Sequence, residues 1–333
     1  MENRVYTFTL NLDWRLVGII SQIDRFDASW SYIERKEGQS LKQLKSVATV
    51  RSVGASTRIE GSQMSDAEVE VLLKEIDITK LTDRDSQEVV GYFETLDIIS
   101  ESYADITISE SSIKNLHNLL MKYSRKDEWH KGNYKQHNNA VEARYPNGTK
   151  QIIFQTTEAG YQTQDAMKAL IDWYNTDELT HPLVKCSLFT YDFLSIHPFQ
   201  DGNGRLSRLI STLLLLKNGY TWIQYISLEH EIEHRKMEYY RVLRSCQTQR
   251  PNENVSEWVN FFFDASKNAE IQLSPREKSI VTYIENHPGS KSGEIAKKLG
   301  IPTPTVKRTL AELVNKNLLE KHSTGPGTNY TIK

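Results

Sequence analysis

The chain has 333 residues, enough for two or three domains. Its formal net charge of −2 conceals an asymmetry: residues 275–333 carry ten Lys/Arg against five Asp/Glu, a balance of +5, which leaves −7 for residues 1–274. Two cysteines are too few for a disulfide framework, so Cys186 and Cys246 are expected to be free thiols. No signal-peptide pattern stands at the start, and the longest purely apolar run, Leu213 to Leu216, is far too short to span a membrane. These features argue against a disulfide-stapled or helical membrane protein and fit a cytoplasmic one, without repeats or low-complexity stretches.

In chain order, residues 12–50 read as helices with Trp14, Trp30 and Leu/Ile residues making contacts. Residues 85–103 and 109–124 continue the helical pattern. Residues 133–157 change character: Pro146-Asn147-Gly148 is a turn signal between β-favouring segments, which predicts a hairpin. Residues 158–176 return to helix, with Trp173-Tyr174-Asn175 near its end. Leu183 to Ile196 has apolar residues at helical spacing and is brought to an end with the help of Pro198. A further helix is expected from Arg205 to a stop at Asn218-Gly219.

Between these two helices lies HPFQDGNGRLSR, residues 197–208, a set of parts for handling a polyphosphate. Gly202-Asn203-Gly204 falls at a helix N-terminus, where free N–H groups and the positive dipole end favour an anion and glycines allow close approach. Arg205 and Arg208, spaced i,i+3, can reach toward the same ligand end, and guanidinium forks suit phosphate oxygens. Asp201 can hold a Mg²⁺ that bridges phosphates. His197 is the one group in the segment able to take a hydroxyl proton near neutral pH. Phe199 reads as a core anchor.

This string resembles the signature of the Fic family, His-x-Phe-x-Asp/Glu-Gly-Asn-Gly-Arg-x-x-Arg, and matches it at every fixed position. The resemblance implies a mainly α fold: a Fic-type helical core with a β-hairpin flap, here followed by a winged helix. It implies transfer of AMP from ATP to a Ser, Thr or Tyr hydroxyl of a target protein or of the enzyme itself. His197 would be the general base and Asp201 the Mg²⁺ ligand. Gly202, Asn203 and Gly204 would cradle phosphate, while Arg205 and Arg208 hold the β- and γ-phosphates. The phosphorylating branch replaces the glycine after the carboxylate with Lys, so Gly202 points to nucleotidyl transfer.

Three further segments are similar to family features. The hairpin stands where the family's flap covers the nucleotide and pairs with an extended stretch of target through strand-edge hydrogen bonds. Ile153, Phe154 and Gln155 would then face the nucleotide, although Gln155-Thr156-Thr157 replaces the relatives' proline run, and a plain surface hairpin remains an alternative. Ser56-Thr57-Arg58-Ile59-Glu60-Gly61 resembles the inhibitory helix motif, in which Glu60 would occupy Arg208 and exclude a productive γ-phosphate; the alternative is a helix end stopped by Gly61. Glu238 to Leu243 resembles the helix lining the adenine pocket, with Tyr239 and Tyr240 toward the base or simply packed in the core. Gln247 stands where relatives often carry Asn.

His230-Glu231-Ile232-Glu233-His234 satisfies the H-E-x-x-H zinc pattern, with Glu253 or Glu257 as a conceivable third ligand. The competing reading, an exposed helix face with charges paired to Arg235 and Lys236, is preferred. Ser274-Pro275 opens a helix, Ser292 to Leu299 forms a second, Gly300 turns the chain, and Thr303 to Asn317 forms a third. Strands at 318–322 and 329–333 complete the layout of a winged helix-turn-helix. Thr303, Thr305, Lys307 and Arg308 would face a groove or phosphates, so DNA is one expected partner and another protein the alternative.

The expected organisation is an N-terminal helical region (1–110) with an inhibitory helix around 50–62, a catalytic core (111–250), a linker helix (251–273) and a winged helix (274–333). The activity implied is Mg²⁺-dependent protein adenylylation restrained by Glu60. Two alternatives stay open: a DNA-binding regulator whose core senses nucleotide, and removal of AMP by a water that Glu60 positions. A homodimer is compatible with the sequence; a membrane partner is not expected.

Overall fold

The computed structural model describes residues 4–36, 38–144, 150–270, 275–315 and 319–332. Strands β1 (Arg4–Val5) and β2 (Phe8–Thr9) form a small antiparallel ribbon, and Thr9 pairs through its backbone with Glu253 and Val255. Helices α1 (Trp14–Lys36) and α2 (Gly38–Ile59) follow, and Gly61, at φ +107°, takes a conformation that a side chain would resist just beyond the end of α2. Then come α3 (Asp66–Lys74), α4 (Arg84–Ser102) and α5 (Glu110–Leu120). Each starts where a side chain can satisfy the orphan N–H groups: Ser65 with Glu68 in a reciprocal capping box, Asp83, and Ser109.

The hairpin follows as β3 (Ala140–Arg144) paired antiparallel with β4 (Lys150–Gln155), with a register irregularity between Val141 and Glu142. The predicted Pro146-Asn147-Gly148 turn lies outside the described residues. Helices α6 (Tyr161–Thr176), α7 (Pro182–Ile196) and α8 (Asn203–Lys217) come next. Every residue of α7 from Cys186 to Ile196 is buried, so it is the central rod, and α8 packs directly beside it. Helices α9 (Leu228–His234), α10 (Lys236–Gln247) and α11 (Ser256–Glu270) complete the first body.

Residues 251–273, expected as a linker helix, supply α11 instead to the main core. Trp258, Phe261, Phe262 and Phe263 are buried there, and Trp258 Nε1 donates to the Ser187 carbonyl of α7 at 2.9 Å. Four large aromatics on one helix bury too much apolar surface for a free connector. Trp14, expected among the contacts, is 90% exposed at the first position of α1, while Trp30, further along, is buried against Phe26 and Tyr225. Cys186 and Cys246 are free and buried.

A second core, centred on Ile280, Ile284, Ile295, Val306, Leu310 and Leu313, belongs to α12 (Pro275–Asn286), α13 (Ser292–Leu299) and α14 (Thr303–Asn315), with β5 (Leu319–His322) paired to β6 (Asn329–Ile332). This is the expected winged helix, with Gly300 left-handed at the end of α13. Its first helix lies along α2, where Arg51 pairs with Glu285 at 2.7 Å and donates to Thr282 at 3.4 Å. Among the described residues, no helix is long and apolar enough to cross a membrane.

Candidate active site

The site is built at the seam between α7 and α8. The chain leaves α7 at His197, whose φ of +53° puts a non-glycine residue in the sparsely populated left-handed region. That turn aims the imidazole back along the seam, where Nδ1 lies 3.3 Å from the Leu194 carbonyl and so carries the proton toward it. Nε2 is left as the basic nitrogen. Burial, followed by the nearby charge of Lys135, pushes His197 down to about 4, so the ring is neutral at physiological pH.

The loop is braced from inside. Asn203, almost fully buried, accepts from Phe199 N–H at 2.9 Å and donates to the Phe199 carbonyl at 2.7 Å. Its side chain therefore shapes the turn, and what it can offer an anion is backbone. Phe199 itself is fully buried and stacks on His117 with ring centroids 3.8 Å apart, so it anchors the loop rather than lining an opening. Gly202 is left-handed at φ +78° and caps α8, which begins at Asn203, two residues earlier than expected. The first-turn N–H groups at 203–205 are the orphan donors of this helix end.

Arg205 and Arg208 are both buried, at 1% and 3% exposure. Arg205 Nη1 lies 3.2 Å from Glu88 of α4, and Nη2 lies 3.7 Å from Asp201. Arg205 Nε and Arg208 Nη1 have no hydrogen-bond partner among the described residues, while Arg205 Nη1 has the ion-pair contact to Glu88. Buried guanidinium N–H groups without acceptors are expensive in an apo protein and natural in one that receives an anion.

Arg208 is also held by the end of α2. Nε donates to Ser56 Oγ at 2.8 Å, and Nη2 donates to the Ser56 carbonyl at 3.0 Å and to Glu60 Oε1 at 2.8 Å. Burial alone would raise the Glu60 carboxyl, but Arg208, and after it Arg205, outweigh that effect and hold it below its usual range. A Cβ placed on Gly204 would stand 2.2 Å from Glu60 Oε1, so the carboxylate occupies the space directly over the glycine turn. Ser56, Glu60, Gly204 and Arg208 thus meet at one point. Gly61 contributes the helix end.

Asp201 stands at the mouth of the loop with 37% of its side chain exposed, and Oδ1 accepts from Gly202 N–H at 2.6 Å. Burial raises it, yet Arg205 and the Gly202 hydrogen bond more than compensate, so it is ionised. One ionised, accessible carboxylate beside an anion cradle fits a Mg²⁺ that arrives with phosphates, since this ion takes few protein ligands and completes its shell with phosphate oxygens and water. Among the described residues, no three His, Cys, Asp or Glu gather as a metal cluster.

The remaining expected site residues divide. Tyr239 is buried and its ring centroid lies 5.1 Å from that of Tyr240, which is 37% exposed. Phe154 is buried and Gln155 exposed at the end of β4, while the side chain of Ile153 lies outside the described residues. Gln247 departs from the expectation. It is buried, and Nε2 donates to Ser195 Oγ of α7 at 3.0 Å, so its amide is spent inside the protein. The zinc pattern is overturned as a metal site: Arg51 donates to His230 Nε2 at 2.5 Å, placing a cation where a metal would bind. Burial first, then Arg51, pushes His230 down to about 2. Glu233, expected to pair along its own helix, instead receives Arg58 in a two-pronged bond at 2.6 and 2.9 Å.

Several contributors were not read from the sequence. His117 accepts from Gly132 N–H on Nδ1 (2.9 Å), so Nε2 donates to the Asp201 carbonyl (3.0 Å), and burial pushes its pKa down to about 4. A histidine on the apolar face of α5, with Ile113, Leu116 and Leu120, was the available signal. Glu88, a buried carboxylate of α4 shared by Arg84 and Arg205, had none. Lys135 and Asn139 sit beneath the loop: Lys135 N–H donates to the Pro198 carbonyl at 2.8 Å and Asn139 Nδ2 to the Phe199 carbonyl at 2.9 Å.

Residues 107–215 match the Fic/DOC family model, and residues 271–327 match that of the MarR family. The chain is 26% identical over 215 residues to the protein adenylyltransferase Fic of Drosophila erecta, covering 63% of this chain and 40% of that protein. It is 26% identical over 207 residues to the Drosophila melanogaster protein of the same name, covering 60% and 39%. It therefore spans about 40% of the length of these curated relatives. Among solved structures, a Fic family protein from Desulfovibrio desulfuricans superposes over 97% of both chains with a TM-score of 0.64 at 23% identity. A Fic domain containing signaling protein from Bacteroides thetaiotaomicron covers 75% of this chain and 98% of its own, with a TM-score of 0.57 at 21% identity. At such identities these superpositions establish a shared fold, and with the two family matches they show that the chain carries a Fic domain followed by a C-terminal MarR-type winged helix.

Proposed function

We propose that this protein transfers AMP from ATP to a hydroxyl side chain of a protein, itself included, and that Glu60 holds the activity in check. The observation that carries the reading is the meeting of Glu60 with Arg208 directly over Gly204, beside a neutral His197. His197 Nε2 takes the proton of the attacking hydroxyl as its oxygen bonds to the α-phosphorus; the bond to the bridging oxygen breaks and pyrophosphate leaves. Arg205, Arg208 and the first turn of α8 receive the β- and γ-phosphates, and Tyr240 borders the base. A Mg²⁺ held by Asp201 would neutralise charge on the phosphates. Glu60 competes for the Arg208 fork and repels the γ-phosphate, so ATP binds in a pose unsuited to in-line attack.

The strand edge of β3–β4 would pair with an extended stretch of the target. The test is transfer from α-labelled ATP into a lysate by the parent, Glu60→Gly and His197→Ala proteins. Labelling by the first variant and silence from the second is the expected pattern, and label from neither parent nor Glu60→Gly defeats the reading. The winged helix supports a DNA-binding role alongside, because Thr303, Lys307 and Arg308 stand exposed along α14. A gel shift with and without a Lys307→Ala, Arg308→Ala double change checks it, since loss of phosphate-contacting cations weakens binding and its salt dependence together.

A further inference from the structure

Lys135 is a cation 2% exposed, and among the described residues no carboxylate pairs with it. Its ammonium has three donors and three acceptors: Ile196 O at 3.0 Å, Asn139 Oδ1 at 2.9 Å and Thr156 Oγ1 at 2.9 Å. These belong to three different segments. Ile196 immediately precedes His197 in the catalytic turn, Asn139 is the residue before β3, and Thr156 is the residue after β4. Thr156 in turn donates to Asn139, so the two feet of the hairpin are locked to each other.

A buried, uncompensated ammonium destabilises a fold relative to an apolar side chain of similar length, so its presence asks for a reason. Packing alone would be served by methionine. What methionine lacks is the ability to hold the carbonyl of residue 196 while the backbone reverses into the left-handed His197. With the Lys135 N–H on Pro198 O, one residue grips the turn on both sides of the catalytic histidine.

We propose that Lys135 is a positioning residue that couples the seating of the β3–β4 flap to the orientation of His197. The proposal rests on the functional reading above, in which the flap receives the target and His197 takes its proton. The bonds to Asn139 and Thr156, formed without a target, tie the feet of the flap to the Ile196 carbonyl, so a target strand that shifts the flap would be felt at the imidazole beyond it. The ammonium also stands among the charges that face His197, the others being Glu60 and Asp201, and it alone opposes protonation of the ring.

The test uses the full-length protein in the Glu60→Gly background, with Lys135→Met and, as a nearly isosteric change at the flap foot, Thr156→Val. Lys135→Met is expected to lower kcat about 10²-fold, the scale of a misplacement of roughly 1 Å, with the KM for ATP moved less than about threefold. Thr156→Val should lower kcat less, and its effect should vanish when Lys135 is already Met. In ligand-free protein, the imidazole nitrogens of His197 followed by NMR should show an Nδ1–H tautomer in the parent. In Lys135→Met they should show mixed tautomers and a ring that titrates at higher pH. Parent-like kcat in Thr156→Val, or an unchanged His197 tautomer and titration in Lys135→Met, overturns the proposal; if Lys135→Met does not fold, Thr156→Val decides by the same two readouts. Absence of transfer in every variant would instead defeat the functional reading, and the NMR comparison would still judge Lys135.

Discussion

Arg208 and Glu60 meet at 2.8 Å although 148 positions of chain separate them, and the two side chains differ sharply in exposure, 3% against 29%. The guanidinium is the fixed member, carried on α8 and buried in the body. The carboxylate is the removable one, at the end of a helix and open on one side. On the proposed reading, this asymmetry makes the carboxylate the partner that yields when a phosphate competes.

Glu60→Gly should therefore raise transfer and automodification from labelled ATP. The same change breaks a partly buried pair and should cost about 1–3 kcal/mol of apo stability, between the values for exposed and fully buried pairs. Melting curves should show a lower apo transition, and Mg²⁺-ATP should restore more of it than in the parent. Equal activity and equal melting would remove Glu60 from the mechanism.

For His197→Ala the expected loss is a factor of roughly 10² to 10⁴ in transfer, with ATP affinity by calorimetry largely kept. Arg208→Ala should abolish transfer even alongside Glu60→Gly, and Asp201→Ala should erase the Mg²⁺ dependence of nucleotide binding. An active Arg208→Ala, Glu60→Gly protein would show that the γ-phosphate is anchored elsewhere.

The pH dependence of stability follows from three neutral histidines, buried His117 and part-buried His197 pushed down to about 4 and part-buried His230 to about 2, in each case first by loss of solvation. Their unfolded-state pKa is near 6.5, so on acidification the unfolded chain takes up these protons before the folded one. Stability is intact above about pH 6.5 and falls below it, by about 1.4 kcal/mol per pH unit for each such histidine, until the folded values are reached. Urea unfolding at pH 7.5, 6.0 and 5.0 measures this; a flat profile would contradict their being held as neutral rings in the folded protein.

Gly91→Ala separates propensity from packing. An alanine in the middle of α4 would gain about 1 kcal/mol of helix propensity. A Cβ there, however, would lie 2.2 Å from the Leu120 carbonyl, a backbone atom that cannot swing aside. Net destabilisation of about 1–3 kcal/mol is expected by chemical unfolding, because α4 and α5 must move apart; a more stable variant would mean that the contact relaxes freely.

The fold class was legible because helical periodicity, caps and turn residues agree locally along most of the chain. The ends of α7 and α8 fell within a residue or two of Leu183, Ile196 and Lys217, and the winged helix followed from its three short helices and Gly300. The residues of 197–208 could be grouped from sequence because they are contiguous, and the structure brings Ser56, Glu60, Gly204 and Arg208 to one point. Illegible were the polar side chains that support them from afar. Glu88, Thr156 and the pair Lys135 and Asn139 lie in three separate segments, and nothing in local spacing says that a carboxylate on α4 will face Arg205. Gln247 failed for a related reason, since motif position does not reveal that Ser195 takes the amide. Trp14 and the aromatic face of α11 show that hydrophobicity alone does not say which side of a helix end will be covered.

Helix α2 is loaded on two sides. Ser56 and Glu60 rest on the catalytic body, while Arg51, nearer its middle, is held by Glu285 and Thr282 of the winged helix. The proposed nucleotide site and the second domain thus share one helix, and a shift in its seating would be felt at both. If ATP binds as proposed, reciprocity of binding free energies imposes an equality: a partner that takes the winged helix more tightly in one seating of α2 changes ATP affinity by the same factor by which ATP changes its own. The charge that screens Arg208 is, in this sense, a scale on which two distant ligands are weighed against each other.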